Sequence, residues 1–92
     1  MNLDAAEILA LQTFNWLIEQ VELKSSFLET TGILPCELSQ VLGTSEFMVA
    51  VLDFIMIEDS WVIALVQHLN IEPIVIKGAY KVLTDGQQIN ST

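Results

Sequence analysis

Cys36 and His68 are the only thiol and the only imidazole in this chain, the residue types of a Cys–His nucleophilic pair. Cys36 follows Pro35 at an expected helix start, where free backbone N–H groups give a thiol modest reactivity. His68 falls on a predicted helix beside Leu65 and Leu69, which predicts a half-buried, hydrogen-bonded imidazole with no catalytic or metal role. The two belong to opposite halves of the sequence, so only tertiary contact could pair them. A metal site wants several converging ligands, and one cysteine with one histidine does not supply them. Glu58 and Asp59, with Glu22 in the matching region, have the composition of a carboxylate pair for acid–base work. The start of a helix explains all three, because acids there oppose the positive end of the helix dipole. No glycine-rich phosphate loop, serine nucleophile motif or calcium loop is present. The expectation is therefore no catalytic residue, no cofactor, no metal site, and not an enzyme.

The elements that would carry these residues read as helices. Asp4 and Glu7 have capping-box spacing at the start of the first. Its apolar face runs through Ala6, Leu9, Ala10, Phe14, Trp16, Leu17 and Val21 at three- and four-residue intervals. A break near Gln20–Glu22 leads to a second helix through Phe27 and Leu28, stopped at Gly32. Pro35 opens a short third helix, where its missing N–H costs nothing, and Gly43 closes it. Thr44 or Ser45 caps a fourth, carrying Phe47, Met48, Val51, Leu52, Phe54 and Ile55. Glu58-Asp59-Ser60 starts a fifth, which buries Trp61, Leu65 and Leu69 and ends at Asn70. Pro73 opens a sixth through Ile76, Ala79, Tyr80 and Leu83, with Lys77 and Lys81 outward. Thr84-Asp85-Gly86 is expected to end it. Residues 1–86 thus form a single helical domain, and 87–92 read as a polar, frayed tail.

These six helices repeat. A shift of 38 residues lays Gly32-Ile33-Leu34-Pro35 on Asn70-Ile71-Glu72-Pro73, Phe14 on Leu52, Leu17 on Ile55 and Phe27 on Leu65. The expected architecture is an all-α compact bundle of five or six short helices, built as two pseudo-repeated three-helix units packed face to face.

Composition narrows the functions open to it. In a chain of 92 residues 52% are apolar and 16% charged, more than so small a core needs. A compact domain of this mass has about 5,400 Å² of surface, and some of that surface is predicted to be apolar. Contiguous apolar surface usually marks a partner or a ligand groove. Net charge is −9, from twelve acids against three lysines. Such a chain repels phosphate backbones and anionic bilayers, which argues against nucleic-acid and membrane partners. The helix–Gly–Pro–helix outline resembles a helix-turn-helix, but its second helices lack the basic face of a DNA reader. A lone cysteine, and acids where a signal peptide carries lysines, predict a cytoplasmic protein.

The candidate interaction surface is the outer face of the fourth helix: Val49, Asp53, Met56 and Ile57. A face this apolar predicts a cover, by the other repeat, by a second chain in a homodimer, or by an unknown protein partner. Asp53 would then bond a backbone N–H or a hydroxyl, since an unpaired buried carboxylate is costly. The alternative is an apolar small-ligand protein, with a pocket between the repeats lined by Trp16, Phe54 and Trp61. A third reading is a DNA mimic that holds a basic partner in a salt-sensitive way.

Leu3-Asp-Ala-Ala-Glu7, Leu9-Ala-Leu-Gln12, Trp16-Leu17, Phe27-Leu28, Thr31-Gly32-Ile33 with Pro35, and Val51-Leu-Asp-Phe54 occur in this order. Together they resemble domain-of-unknown-function family 3572, small all-helical bacterial proteins, over roughly Leu3 to Leu83. Leu34 stands where a polar helix cap is expected, Asn70 where glycine is usual, and Leu38-Ser39 where an arginine commonly follows leucine. The resemblance implies a compact cytoplasmic helical domain with no assigned activity, and it brings no functional residues.

Overall fold

The computed structural model describes residues 1–88. They form α1 (Leu3–Glu19), α2 (Val21–Thr31), a 3-10 turn (Pro35–Glu37) running into α3 (Leu38–Val41), α4 (Ser45–Ile55), α5 (Asp59–Leu69) and α6 (Pro73–Gln88). No strand occurs among the described residues. The β-branched run Ile74-Val75-Ile76 is helical. The surface of 5722 Å² is close to that expected of one compact domain. Among the described residues no single helix is long and apolar enough to cross a membrane.

Local chemistry sets most helix ends. The cap of α1 is Asn2, whose Oδ1 accepts a hydrogen bond from the Ala5 N–H at 2.8 Å. The expected cap, Asp4, is instead a first-turn acid. A single extended residue, Gln20, separates α1 from α2. That break swings Val21 out of the apolar face in which it was expected, and it is 77% exposed. Leu34 has no polar side chain to cap with, and Glu37 compensates: its Oε1 accepts from the Leu34 N–H at 3.0 Å. The Thr44 hydroxyl caps α4, accepting from the Phe47 N–H at 3.2 Å and donating to the Val41 carbonyl at 2.8 Å. Helix α6 runs through the expected stop at Thr84–Gly86 to Gln88. The rest of the expected tail, residues 89–92, lies outside the described residues.

The 38-residue register reappears in the backbone. Shifting Val21–Thr31 by it gives Asp59–Leu69, and Pro35 falls on Pro73. Gly32 (φ 74°) and Asn70 (φ 57°) end α2 and α5 in the same left-handed conformation. The packing is less symmetric. Gly43 and the Thr44 cap stop α3 after one turn, whereas the corresponding stretch of α6 continues. That longer α6 packs chiefly against α1 and α4, and only lightly against its own neighbour α5. The two halves therefore share one core and do not meet as two self-contained units.

That core is formed by α1, α4 and α6, with α2 laid across α1 and α4. Leu17, Val51, Leu52, Ile55, Leu65, Ile76 and Leu83 are buried in it. Phe27 is fully enclosed, with Phe14, Phe47 and Phe54 around it at centroid distances of 6.1, 5.8 and 5.4 Å. Two of these contacts are edge-to-face, the arrangement that the aromatic quadrupole favours. Thr13 is the buried polar residue of this core, and its hydroxyl donates to the Leu9 carbonyl at 2.8 Å.

Candidate functional site

Helix α4 ends where Met56 leaves the helix and Ile57 turns, its N–H bonded to the Phe54 carbonyl at 3.2 Å. Glu58 is extended and leads into α5. This corner, with the face of α5 and the first turns of α6, encloses a cleft of about 210 Å³. Met56, Val62, Ile63, Pro73 and Ile76 give it apolar walls, and Asp59 and Lys77 supply one charge of each sign. Ile63 is 52% exposed, while Ile57 and Ile74, chain neighbours of two lining residues, are 62% and 69% exposed.

The expected surface residues divide around this corner. Met56 lines the cleft, Ile57 stands beside it in the open, and Val49 is half-buried against the core. Asp53 is exposed, so the other repeat does not cover it, and the buried, hydrogen-bonded carboxylate expected under such a cover is not formed within the chain. The reason is helical phase: the core stripe of α4 passes through Val51, Leu52, Phe54 and Ile55, leaving Asp53 on the far side.

Trp16, Phe54 and Trp61 do not line the cleft. Trp16 and Phe54 are buried, and Trp61 stacks on Phe54 at 4.9 Å with 24° between the rings. Phe54 and Trp61 thus pack on each other, and none of the three lines the cleft. His68 is exposed, correcting the half-buried imidazole, because Leu65 and Val66 take the buried side of that turn. Cys36 is a free, exposed thiol. Glu22 and Asp59 both occupy the first turn of their helices. Among the described residues no group of three or more His, Cys, Asp or Glu side chains could hold a metal ion.

Val62 and Ile63 were not singled out by sequence reasoning, and Pro73, Ile76 and Lys77 were read only as the opener, the apolar face and the outer face of the sixth helix, not as site residues. A signal was there: Ile63 and Ile74 are large apolar residues off the core-facing stripes of their helices.

A family model described as "Protein of unknown function (DUF3572)" matches residues 3–86. The chain belongs to the DUF3572 family. The match starts at the first residue of α1 and runs into the last turn of α6, so the family unit comprises all six helices and the cleft. No curated protein and no solved structure matches this DUF3572 chain.

Proposed function

We propose that this DUF3572 domain is a non-enzymatic protein–protein interaction module, an adaptor that takes a partner's apolar side chain into the α4–α5–α6 cleft. The observation that carries this reading is the cleft's apolar wall set among exposed isoleucines, Ile57, Ile63 and Ile74. Side chains of this size are worth roughly 1.5–3 kcal/mol each when removed from water. Size favours a side chain over a free ligand: about 210 Å³ falls below the roughly 300–1,000 Å³ of small-molecule sites. The occupant belongs to another protein or to a second copy in a homodimer. The excess of twelve acids over three lysines disfavours nucleic acid and anionic membranes. The exposed, unpaired Cys36 suits a reducing, cytoplasmic setting.

The test is Ile57→Glu with Ile63→Glu, two changes at positions more than half exposed, so circular dichroism should show an unaltered fold. The wild-type domain and the double variant are each recovered from the native cell with whatever accompanies them, and their masses are measured by light scattering. The expected result is a defined partner, or a dimer, present with the wild type and absent with the variant. Identical company and identical mass would refute the cleft as the site. An added mass of a small apolar molecule in native mass spectrometry would favour the ligand-carrier reading instead.

A further inference from the structure

We propose that the outer face of α1 is a second docking surface, and that its occupant is a basic amphipathic helix of another protein. Ile8, Leu11 and Ile18 are 57%, 37% and 37% exposed, and Asn15 is exposed between the last two. Positions 8, 11, 15 and 18 alternate by three and four residues, so they form one seam along the helix. At 1.5 Å per residue it is about 15 Å long. The opposite side of α1, through Ala6, Leu9, Ala10, Thr13 and Leu17, is buried in the core, so the seam cannot also serve it.

Charge selects the occupant. The charged residues of α1 are Asp4, Glu7 and Glu19, all acids. Asp4 and Glu19 are exposed, and Asp4 continues the seam one step toward the N-terminus. A second copy docked by this face would bring the same acids together, in a chain already at −9. A helix with Leu or Ile along one edge and Lys or Arg beside it satisfies the seam and its acids together. The chain's second half offers an internal parallel. By the 38-residue register the seam falls on Glu46, Val49, Asp53 and Met56. There Glu46 and Asp53 are exposed and Val49 and Met56 half-buried, and only the Met56 end shares its cleft with the first turns of α6, a helix bearing exposed Lys77 and Lys81. In the first half the counterpart of α6 is only the short Pro35–Val41 segment.

The probe is a synthetic helical peptide with leucines at heptad spacing and lysines elsewhere, titrated into the isotope-labelled chain at physiological salt. Amide shift changes should concentrate on α1 around Ile8, Leu11, Asn15 and Ile18. Ile8→Glu adds an acid while removing an apolar contact, so tenfold or greater weakening would show that the seam, and not charge alone, holds the peptide. Leu11→Gln with Ile18→Gln should weaken it at least as much, and provides the same reading if Ile8→Glu perturbs the fold. A control peptide with serine for leucine should not bind. Shift changes spread over acids on every helix, or unaffected binding by the variants, would overturn the proposal. Changes confined to Met56 and Ile63 would overturn it too while leaving the cleft reading intact, and loss of binding at the cleft alone would do the reverse. A homodimer dissolved by Leu11→Gln with Ile18→Gln would identify a second copy as the occupant and refute the basic helix.

Discussion

Gly32 and Asn70 show most directly how a backbone demand becomes a sequence signal. Each ends a helix at positive φ, where a Cβ meets the following carbonyl. Around Gly32 there is open space for an added Cβ, so the strain of a substitution there is purely conformational. Gly32→Ala and Asn70→Ala are each expected to lower stability by about 1 kcal/mol, read as the shift in urea midpoint at unchanged slope. Asn tolerates this region because its short amide bonds locally, so Asn70→Gly should be neutral or slightly stabilising. A clear loss in Asn70→Gly would show that the Asn70 side chain has a role beyond its backbone conformation. His68 illustrates the reverse case: an imidazole between Leu65 and Leu69 in sequence reads as half-buried, yet the helix points it outward.

At the scale of the helix, capping competes with the reading of acids. Asp4 with Glu7 has the spacing of a capping box, but Asn2 is the residue whose side chain meets an N–H. Asn2→Ala should therefore cost about 0.5–1 kcal/mol, while Asp4→Ala should cost only the smaller dipole contribution of a few tenths. Thr44→Ala should cost about 1–2 kcal/mol, since its hydroxyl both accepts from Phe47 N–H and donates to the Val41 carbonyl. Thermal melts of the three variants check the order; Asp4→Ala as the worst of them would contradict it. Core-facing phase was most legible in α4, whose buried residues are Phe47, Met48, Val51, Leu52, Phe54 and Ile55, the set its periodicity predicts. In α5 it was legible in part, with Leu65 buried as expected, Val66 buried beside it, and Trp61 and Leu69 only half-buried. The end of α6 was not legible. Thr84-Asp85-Gly86 has the composition of a helix stop, but the isolated glycine is carried inside the helix at a propensity cost of only about 1 kcal/mol.

For the molecule as a whole, charge and packing pull in opposite directions. Twelve acids against three lysines repel one another in the folded chain, and the unfolded chain relieves part of that repulsion. Raising sodium chloride from about 0.01 M to about 1 M shortens the screening length from about 30 Å to about 3 Å. The melting temperature is accordingly expected to rise with salt, by differential scanning calorimetry, and a fall would mean that attractive pairs outweigh the repulsion. What the sequence determined by itself was a string of six helices, their apolar stripes and their repeat, because propensity, caps and 3.6-residue periodicity act within a turn or two of chain. Which exposed side chains share a surface was decided only by tertiary structure. Val62, Ile63 and Ile76 share a cleft with Met56 because α6 packs back against α4 while α5 leans on α6, and because the uninterrupted α6 can span both halves. Those relations depend on the angles at which successive helices cross, on which no pattern within a single helix carries information.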